Sequence, residues 1–556
     1  MKSRLKETRY AGSSLFLSAV FLLFHYLYFF YAPKDGNSAQ SLIHPLLALF
    51  LFPLLLIICF NYADTFTDVP CRKCYAKEQR RISWGGYFII LLLFWLPYYL
   101  MCFPGNLFFD TGTSILYNLG LDRSNVNNPF FQNFLMGTVY RLGKLLGDPK
   151  IGIGIYVYIQ FFLYLVLLSY ALFKNVKNRR YIMITLVYAL VPAFPLYAVS
   201  MGKDTNFALC ILLFSCLTLE LIEDREAFFQ HKTKAIMLAV SIVLMGLFRN
   251  YAVYVPAISL LLYSLFSDKD RVLRVYSIVV CVIAVFISSL LPRMMGIPKP
   301  LLTESLSLPL QQIGYYYSQY KDELSDEETE ELLSVFSTEN LEGYNPSISD
   351  PIKSRLRLSN QQLHTIVSIW IRQFSRHPIS YLKAAYYQTY AYYSPLAERG
   401  DIKNHAWIGF AVAEKVFEKT DLTPNTNEFL KLVREIENAS LTIPILSMFT
   451  KIGIYTWMLI ISIVRLFQKH QKKILLSFSP VIMVLIGCLL SPVNGYYRYA
   501  FPMILSVPIL FVYVLQLADE EKDIIIEVGT AAPHGAASAR PDHLAEAIQY
   551  RTYEVR

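Results

Sequence analysis

The sequence predicts an all-α polytopic membrane protein with about twelve transmembrane helices, outer juxtamembrane helices and a mainly helical extracytoplasmic insertion. Three observations predict it. Of 556 residues, 54% are hydrophobic and only 17% charged, where an ordinary soluble domain carries about 25% charged residues. Mean hydropathy is +0.38. The apolar residues also gather into runs near the roughly 20 residues that cross a bilayer. Aromatics reach 15%, and amphipathic rings suit a membrane–water interface.

The runs are 15–31, 41–60, 87–103, 151–173, 181–199, 205–222, 235–250, 251–266, 272–292, 443–466, 474–491 and 498–518. The first follows Lys2, Arg4, Lys6 and Arg9 and lacks a small-residue cleavage site, so it is expected to stay attached. Runs 15–60 form an N-terminal hairpin, and 61–292 form the core transmembrane module with an outer loop at 104–150. Residues 293–442 are a domain-sized insertion, 443–518 the C-terminal spans and 519–556 a polar tail. Within the insertion, Ser325 to Phe336 reads as a capped acidic helix. Pro378 opens another helix, whose Ile379, Leu382, Tyr386, Tyr390 and Tyr393 share a face that suits the interface or an acceptor groove.

Charge sets the orientation. With both termini cytoplasmic, the inner segments hold 23 Lys and Arg and the outer loops few, as the positive-inside rule requires. The net charge of +9 is therefore topological. No continuous basic face exists for nucleic acid. Residues 129–146 carry apolar positions at helical spacing, but Gln132, Asn133, Arg141 and Lys144 give them a polar face. Were they to span, 14 of the inner charges would move outside, so they are expected to lie on the outer surface. Cys71 and Cys74 form a lone CxxC without the further ligands a zinc site needs.

Polar groups in an apolar chain mark a cavity or a partner. On this topology Asp110, Lys203, Asp204, Arg249 and Arg498 all face outward. A carboxylate facing several cations at headgroup depth is the composition that holds a phosphate and activates a nucleophile beside it. The simpler alternatives are snorkelling for each arginine, a local ion pair or helix start for Lys203 and Asp204, and an N-cap for Asp110. Gln160, mid-span, suits an interhelical hydrogen bond. His44 and His364 have no ligand-like neighbours.

In order along the chain, PGNLFFD (Pro104 to Asp110), NNP (Asn127 to Pro129), KDT (Lys203 to Thr205), FRNY (Phe248 to Tyr251), LPLQQ (Leu308 to Gln312), NPSISDPIK (Asn345 to Lys353) and RYAFP (Arg498 to Pro502) resemble the GT-C class of membrane glycosyltransferases. More narrowly, they resemble an uncharacterised bacterial family placed in that class. The likeness runs over roughly residues 90 to 512 and leaves the first hairpin outside. One departure stands out: such families commonly show His before the proline, where this chain has Asn127 and Asn128.

The resemblance implies an inverting transfer of a sugar from a polyprenyl-phosphate carrier to a glycan or glycolipid acceptor outside a bacterial plasma membrane. Asp110 would be the general base. Lys203, Arg249 and Arg498 would bind the carrier phosphate, and Asp204, Asn128 and Gln312 would complete the substrate site. Because the phosphate leaves as an anion, no general acid is needed, unlike glycoside hydrolysis. The resemblance specifies no cofactor and leaves metal dependence open. Asp204 is placed to assist Asp110 or to hold a divalent cation, magnesium or manganese. The competing readings are a polysaccharide polymerase, which would lean on Arg-rich loops, and a lipid-linked-glycan flippase or transporter. The latter should show internal repeats and mid-membrane charges, and none is evident in the sequence.

Overall fold

The computed structural model describes residues 13–24, 82–122, 128–176, 181–250, 252–267, 270–297, 301–354, 356, 358–395, 397, 414–423 and 428–517. The predicted run at 41–60, the CxxC and the tail lie outside these residues. The structure is helical, with one two-residue parallel strand pair. The principal helices are α1 (Trp84–Met101), α2 (Phe109–Asn118), α3 (Phe130–Leu145), α4 (Pro149–Asn175), α5 (Lys203–Glu223), α6 (Lys232–Phe248), α7 (Ser307–Tyr320), α8 (Asn360–Arg376), α9 (Pro378–Thr389), α10 (Ile452–Gln468), α11 (Leu475–Leu489) and α12 (Tyr497–Leu515).

Six helices among the described residues are long and apolar enough to cross a membrane: α1, α4, α5, Arg271–Met294, Lys472–Leu489 and α12. This is an all-α membrane protein, and among the described residues several of the twelve apolar runs form helices shorter than a full span. The difference has local causes. Pro192 separates helices at Tyr181–Leu190 and Ala193–Ala198, breaking run 181–199. Run 443–466 divides into Pro444–Ser447 and α10, while 235–250 and 251–266 yield helices of 17 and 13 residues.

α5 and α12 are the centre of the bundle. They pack on each other, α5 also meets α4, α6 and α11, and α12 meets α10 and α11. Most of each is buried, 78% and 83% of an 18-residue stretch, against 17% for α1, whose exposed Ile89, Leu93 and Leu100 face outward. Polar side chains tie the interior: Tyr188 donates to the Leu505 carbonyl (2.6 Å), Trp95 to the Tyr188 carbonyl (2.9 Å) and Ser215 to the Ser477 carbonyl (2.8 Å). In an apolar surrounding such unmet donors would be costly, so these bonds fix the register of the helices. Tyr197 stacks on Phe501 with ring centroids 3.9 Å apart.

α3 has 16 residues and is not among the six. Its polar residues are divided between two environments, with Arg141 and Lys144 exposed. Gln132 and Asn133 are buried against the protein, while Phe134, Leu142 and Leu145 are exposed. Arg141 donates to the Asn118 carbonyl (2.9 Å) and Lys144 pairs with Asp421 (3.1 Å).

The helices within 301–395 have their own core of Leu310, Ile313, Phe336, Ile352, Ile366 and Ile369. The acidic helix forms over Asp326–Leu333 with a reciprocal capping box between Ser325 and Glu328. Pro378 opens α9. A short antiparallel contact, Ser349 N to Pro492 O (2.8 Å) and Asn494 N to Ser347 O (2.9 Å), clasps this unit to the loop leading into α12.

The strand pair decides how the candidate loops meet. β1 (Asn106–Leu107) aligns with β2 (Ser200–Met201), Asn106 opposite Ser200. Gly105, at φ +138°, permits the entry turn, and a Cβ there would sit 2.5 Å from Val157. At Gly202 a Cβ would lie 2.4 Å from the buried Phe108 ring. Gly202→Ala is expected to destabilise the fold by about 1–3 kcal/mol through overpacking. Gly85→Ala, whose new Cβ would meet nothing closer than 4.0 Å, should leave the Tm unchanged or raise it. Thermal unfolding in detergent followed by intrinsic fluorescence checks the pair.

Candidate functional site

Strand pairing puts the start of α2 beside the start of α5. Asp110 is in the first turn of α2, and the cap position belongs to Phe108, so the carboxylate does not cap the helix. Lys203 and Asp204 open α5. Arg249 ends α6, and Arg498 is in the first turn of α12. Four helix ends thus converge at one end of the bundle.

The side chains form one chain of ion pairs. Asp110 Oδ2 lies 3.0 Å from Lys203 Nζ and 3.1 Å from Arg498 Nη2. Arg498 Nε is 3.3 Å from Asp204 Oδ2, and Arg249 Nη1 is 3.3 Å from Asp204 Oδ1. Arg498 joins the two carboxylates. Its side chain is 6% exposed and that of Asp204 3%. Asp110, Lys203 and Arg249 keep 19%, 17% and 29% of their side-chain surface open. The Arg498–Asp204 pair is therefore deep, and the other three side chains are more accessible. Although Arg498 Nε is close to Asp204, its N–H is buried and aligned on no acceptor.

Three cations against two carboxylates leave the cluster with one excess positive charge. Burial alone would raise the Asp110 carboxyl. The charges and hydrogen bonds of Arg498 and Lys203 outweigh it and hold the group well below the usual carboxylate range.

Aromatic rings hold the guanidiniums in place. Arg498 lies over Tyr496 (5.0 Å), Tyr499 (5.3 Å) and Phe108 (5.5 Å), and Arg249 over Tyr499 (5.4 Å) and Phe207 (5.7 Å). Tyr499 serves both arginines. Each such contact contributes on the order of 0.5–2 kcal/mol. Asn128 is 6% exposed. Its amide donates to Ser114 Oγ (3.0 Å) and the Asp110 carbonyl (3.2 Å), while its oxygen accepts from Lys203 Nζ (2.7 Å). It aims Lys203 at Asp110.

Residues 124–527 match DUF6020, a family of unknown function. The chain belongs to that family. Lys203, Asp204, Arg249 and Arg498 lie inside the family's segment, and Asp110 lies before it. No curated protein and no solved structure matches the chain.

Of the site residues expected from sequence, Asp110, Asn128, Lys203, Asp204, Arg249 and Arg498 come together. Gln312 does not. Its amide donates to the Tyr381 carbonyl (3.1 Å) and accepts from Trp370 Nε1 (2.8 Å), tying α7, α8 and α9 within the 301–395 unit. Gln160 donates to the carbonyls of Ala198 (2.8 Å) and Ser200 (3.0 Å), so it supports β2.

Other contributors went unread. The loop Ser491–Gly495 that delivers Arg498 is held from outside: Gln388 donates to the Ser491 carbonyl (2.7 Å), Asn494 accepts from Ala391 N (3.1 Å), and Tyr392 donates to the Val493 carbonyl (2.7 Å). Segment Glu414–Lys419 also clips on, through the ion pair of Lys415 with Asp122. The rings of Tyr496 and Tyr499 stand in the motif GYYRY, where an aromatic neighbour on each side of an arginine is the signal for stacking.

Because its folded-state pKa is depressed, Asp110 contributes stability that is fully present above the unfolded value of about 4 and is lost as pH falls toward the folded one. The Tm difference between the wild type and Asp110→Asn should be flat from about pH 8 to 5 and shrink below about pH 4. Thermal melts across that range check it. A difference that instead grows on acidification would contradict the pairing.

Proposed function

We propose that the chain is an inverting glycosyltransferase of a bacterial plasma membrane, moving a sugar from a polyprenyl-phosphate carrier to an extracytoplasmic cell-envelope acceptor. The observation that supports this best is the unbalanced cluster at the bundle end. One uncompensated positive charge, partly desolvated and open on one side, favours a singly charged anion. A phosphodiester carries one negative charge. A lipid-linked phosphodiester also arrives with its headgroup at the depth where helix ends lie. The resemblance of PGNLFFD, KDT, FRNY and RYAFP to GT-C motifs points the same way.

In this reading donor binding exchanges partners. Lys203 and Arg498 turn from Asp110 to the phosphate oxygens, while Asp204 keeps Arg249 and the inner edge of Arg498. Asp110, relieved of two cations, becomes a stronger base. It takes the proton from the acceptor hydroxyl as that oxygen attacks the anomeric carbon. The bond from the anomeric carbon to the phosphate oxygen breaks, and the electrons pass to the phosphate, whose second charge Lys203, Arg249 and Arg498 stabilise. Attack opposite the leaving group inverts the configuration.

The donor set does not suit a divalent cation. Both oxygens of Asp204 face arginines, and Asp110 faces Lys203 and Arg498. Among the described residues no group of three His, Cys, Asp or Glu side chains is arranged to hold a metal. No step is routed through one here.

Two variants separate base from clamp. Asp110→Asn should lower transfer by about 10²–10⁴, while donor binding persists or tightens because a competing carboxylate is gone. Lys203→Ala should weaken donor binding and slow transfer together, since the phosphate is charged in ground and transition states alike. Transfer to a defined acceptor and donor titration in detergent read both. Near-normal transfer by Asp110→Asn would remove the base assignment.

A further inference from the structure

We infer that α8 and α9 form a helical hairpin seated in the bilayer interface, with phospholipid covering an exposed apolar stripe on each helix. The stripes consist of Val367, Ile371 and Phe374 on α8 and Ile379 and Leu382 on α9. Their exposures are 47%, 56%, 39%, 68% and 67%.

On α8 the positions 367, 371 and 374 fall within one narrow arc of the helix. Ile366, Ile369 and Gln373, on the adjoining arc, are buried in the core of the 301–395 unit. His364, Ser368 and Ser375, on the far side of the stripe, are exposed and polar. The order around the helix is thus protein core, uncovered apolar arc, water. A helix on a soluble surface needs only the first and last. The middle arc calls for a third environment, as on helices lying in the plane of an interface.

α9 shows which environment that is. Ile379 and Leu382 share their face with Tyr386 and Tyr390. The first two are exposed and the last two are buried. The covered half reaches the transmembrane bundle. Just past α9, the Tyr392 carbonyl accepts from Thr456 Oγ1 (2.6 Å) and the Tyr393 carbonyl from Trp457 Nε1 (3.0 Å). Thr456 and Trp457 lie one turn into α10, and Gln388 reaches the Ser491 carbonyl just beyond α11. The end of α9 is therefore level with the membrane-embedded helices, and the same face runs outward from them. Where helices of the bundle cease to cover it, lipid continues the cover. Tyr386 and Tyr390, whose face suits the interface or an acceptor groove, are buried at this junction.

The inference does not depend on the enzymatic reading. It is tested with p-benzoylphenylalanine placed at Ile371 or Leu382 in the full chain, in nanodiscs of phosphatidylethanolamine and phosphatidylglycerol. Val279, exposed on the candidate span Arg271–Met294, and the exposed polar Gln361 are the references. After irradiation, intact mass should show a single phospholipid adduct at 371 and 382, in yield comparable to 279 and about tenfold above 361. Adducts to a second copy of the chain would assign the stripes to an oligomer interface and overturn the inference. Yields at 371 and 382 no higher than at 361, with 279 still labelled, would place the hairpin in water and overturn it as well.

Discussion

Arg498 and Asp110, 388 residues apart in the chain, meet 3.1 Å apart at the end of the bundle. The rest of the candidate site depends on that contact. Arg498 is nearly buried and could not remain so without counter-charges. Asp110 supplies one from the first turn of α2 and Asp204 the other from the first turn of α5. Each carboxylate needs its own scaffold: the β1–β2 pairing for Asp110, and the packing of α5 against α12 for Asp204. The arginine thus holds together three segments that local structure alone would leave independent.

Control of Arg498 also comes from outside the bundle. The loop from Ser491 to Gly495 is short: its backbone groups are taken up by Ser347, Ser349, Gln388 and Tyr392, and the Asn494 side chain accepts from Ala391 N. Movement of the 301–395 unit would be felt at the guanidinium. Polar groups at the other end of the bundle make a separate set: Lys234 bonds Glu220 (2.6 Å), and Tyr513 donates to Glu223 (2.9 Å). There one cation faces one carboxylate, and the second carboxylate accepts from a tyrosine hydroxyl.

Much of the site was legible because charge is scarce in an apolar chain. Asp110, Lys203, Asp204, Arg249 and Arg498 stood out at the ends of hydrophobic runs, and the fold brings all of them together. Asn128 was legible as a member and not as a positioning group, since only the fold shows its oxygen on Lys203. Gln312 lies apart from the cluster, because a polar motif within a soluble-like unit looks the same in sequence whether it faces a ligand or a neighbouring helix. Within the described residues the apolar runs do not translate one for one into long helices, for a physical reason: hydropathy reports apolar content, while prolines such as Pro192 and Pro444 decide whether that content forms one helix or two. The inward turn of Gln132 and Asn133 on α3 was not legible either. An amphipathic pattern fixes two faces without saying which of them meets protein.

The central claim, that this cluster binds a lipid-linked phosphodiester and promotes its cleavage, is tested most directly in proteoliposomes. The purified chain would be given a radiolabelled polyprenyl-phosphate sugar with and without cell-envelope acceptors, and lipid products followed by mass spectrometry. The account predicts free polyprenyl phosphate and a glycosylated acceptor in equal amounts, with inverted anomeric configuration and no turnover in the absence of acceptor. Donor that crosses the bilayer intact, with no polyprenyl phosphate released under any acceptor condition, would contradict it and make the chain a carrier of lipid-linked sugar.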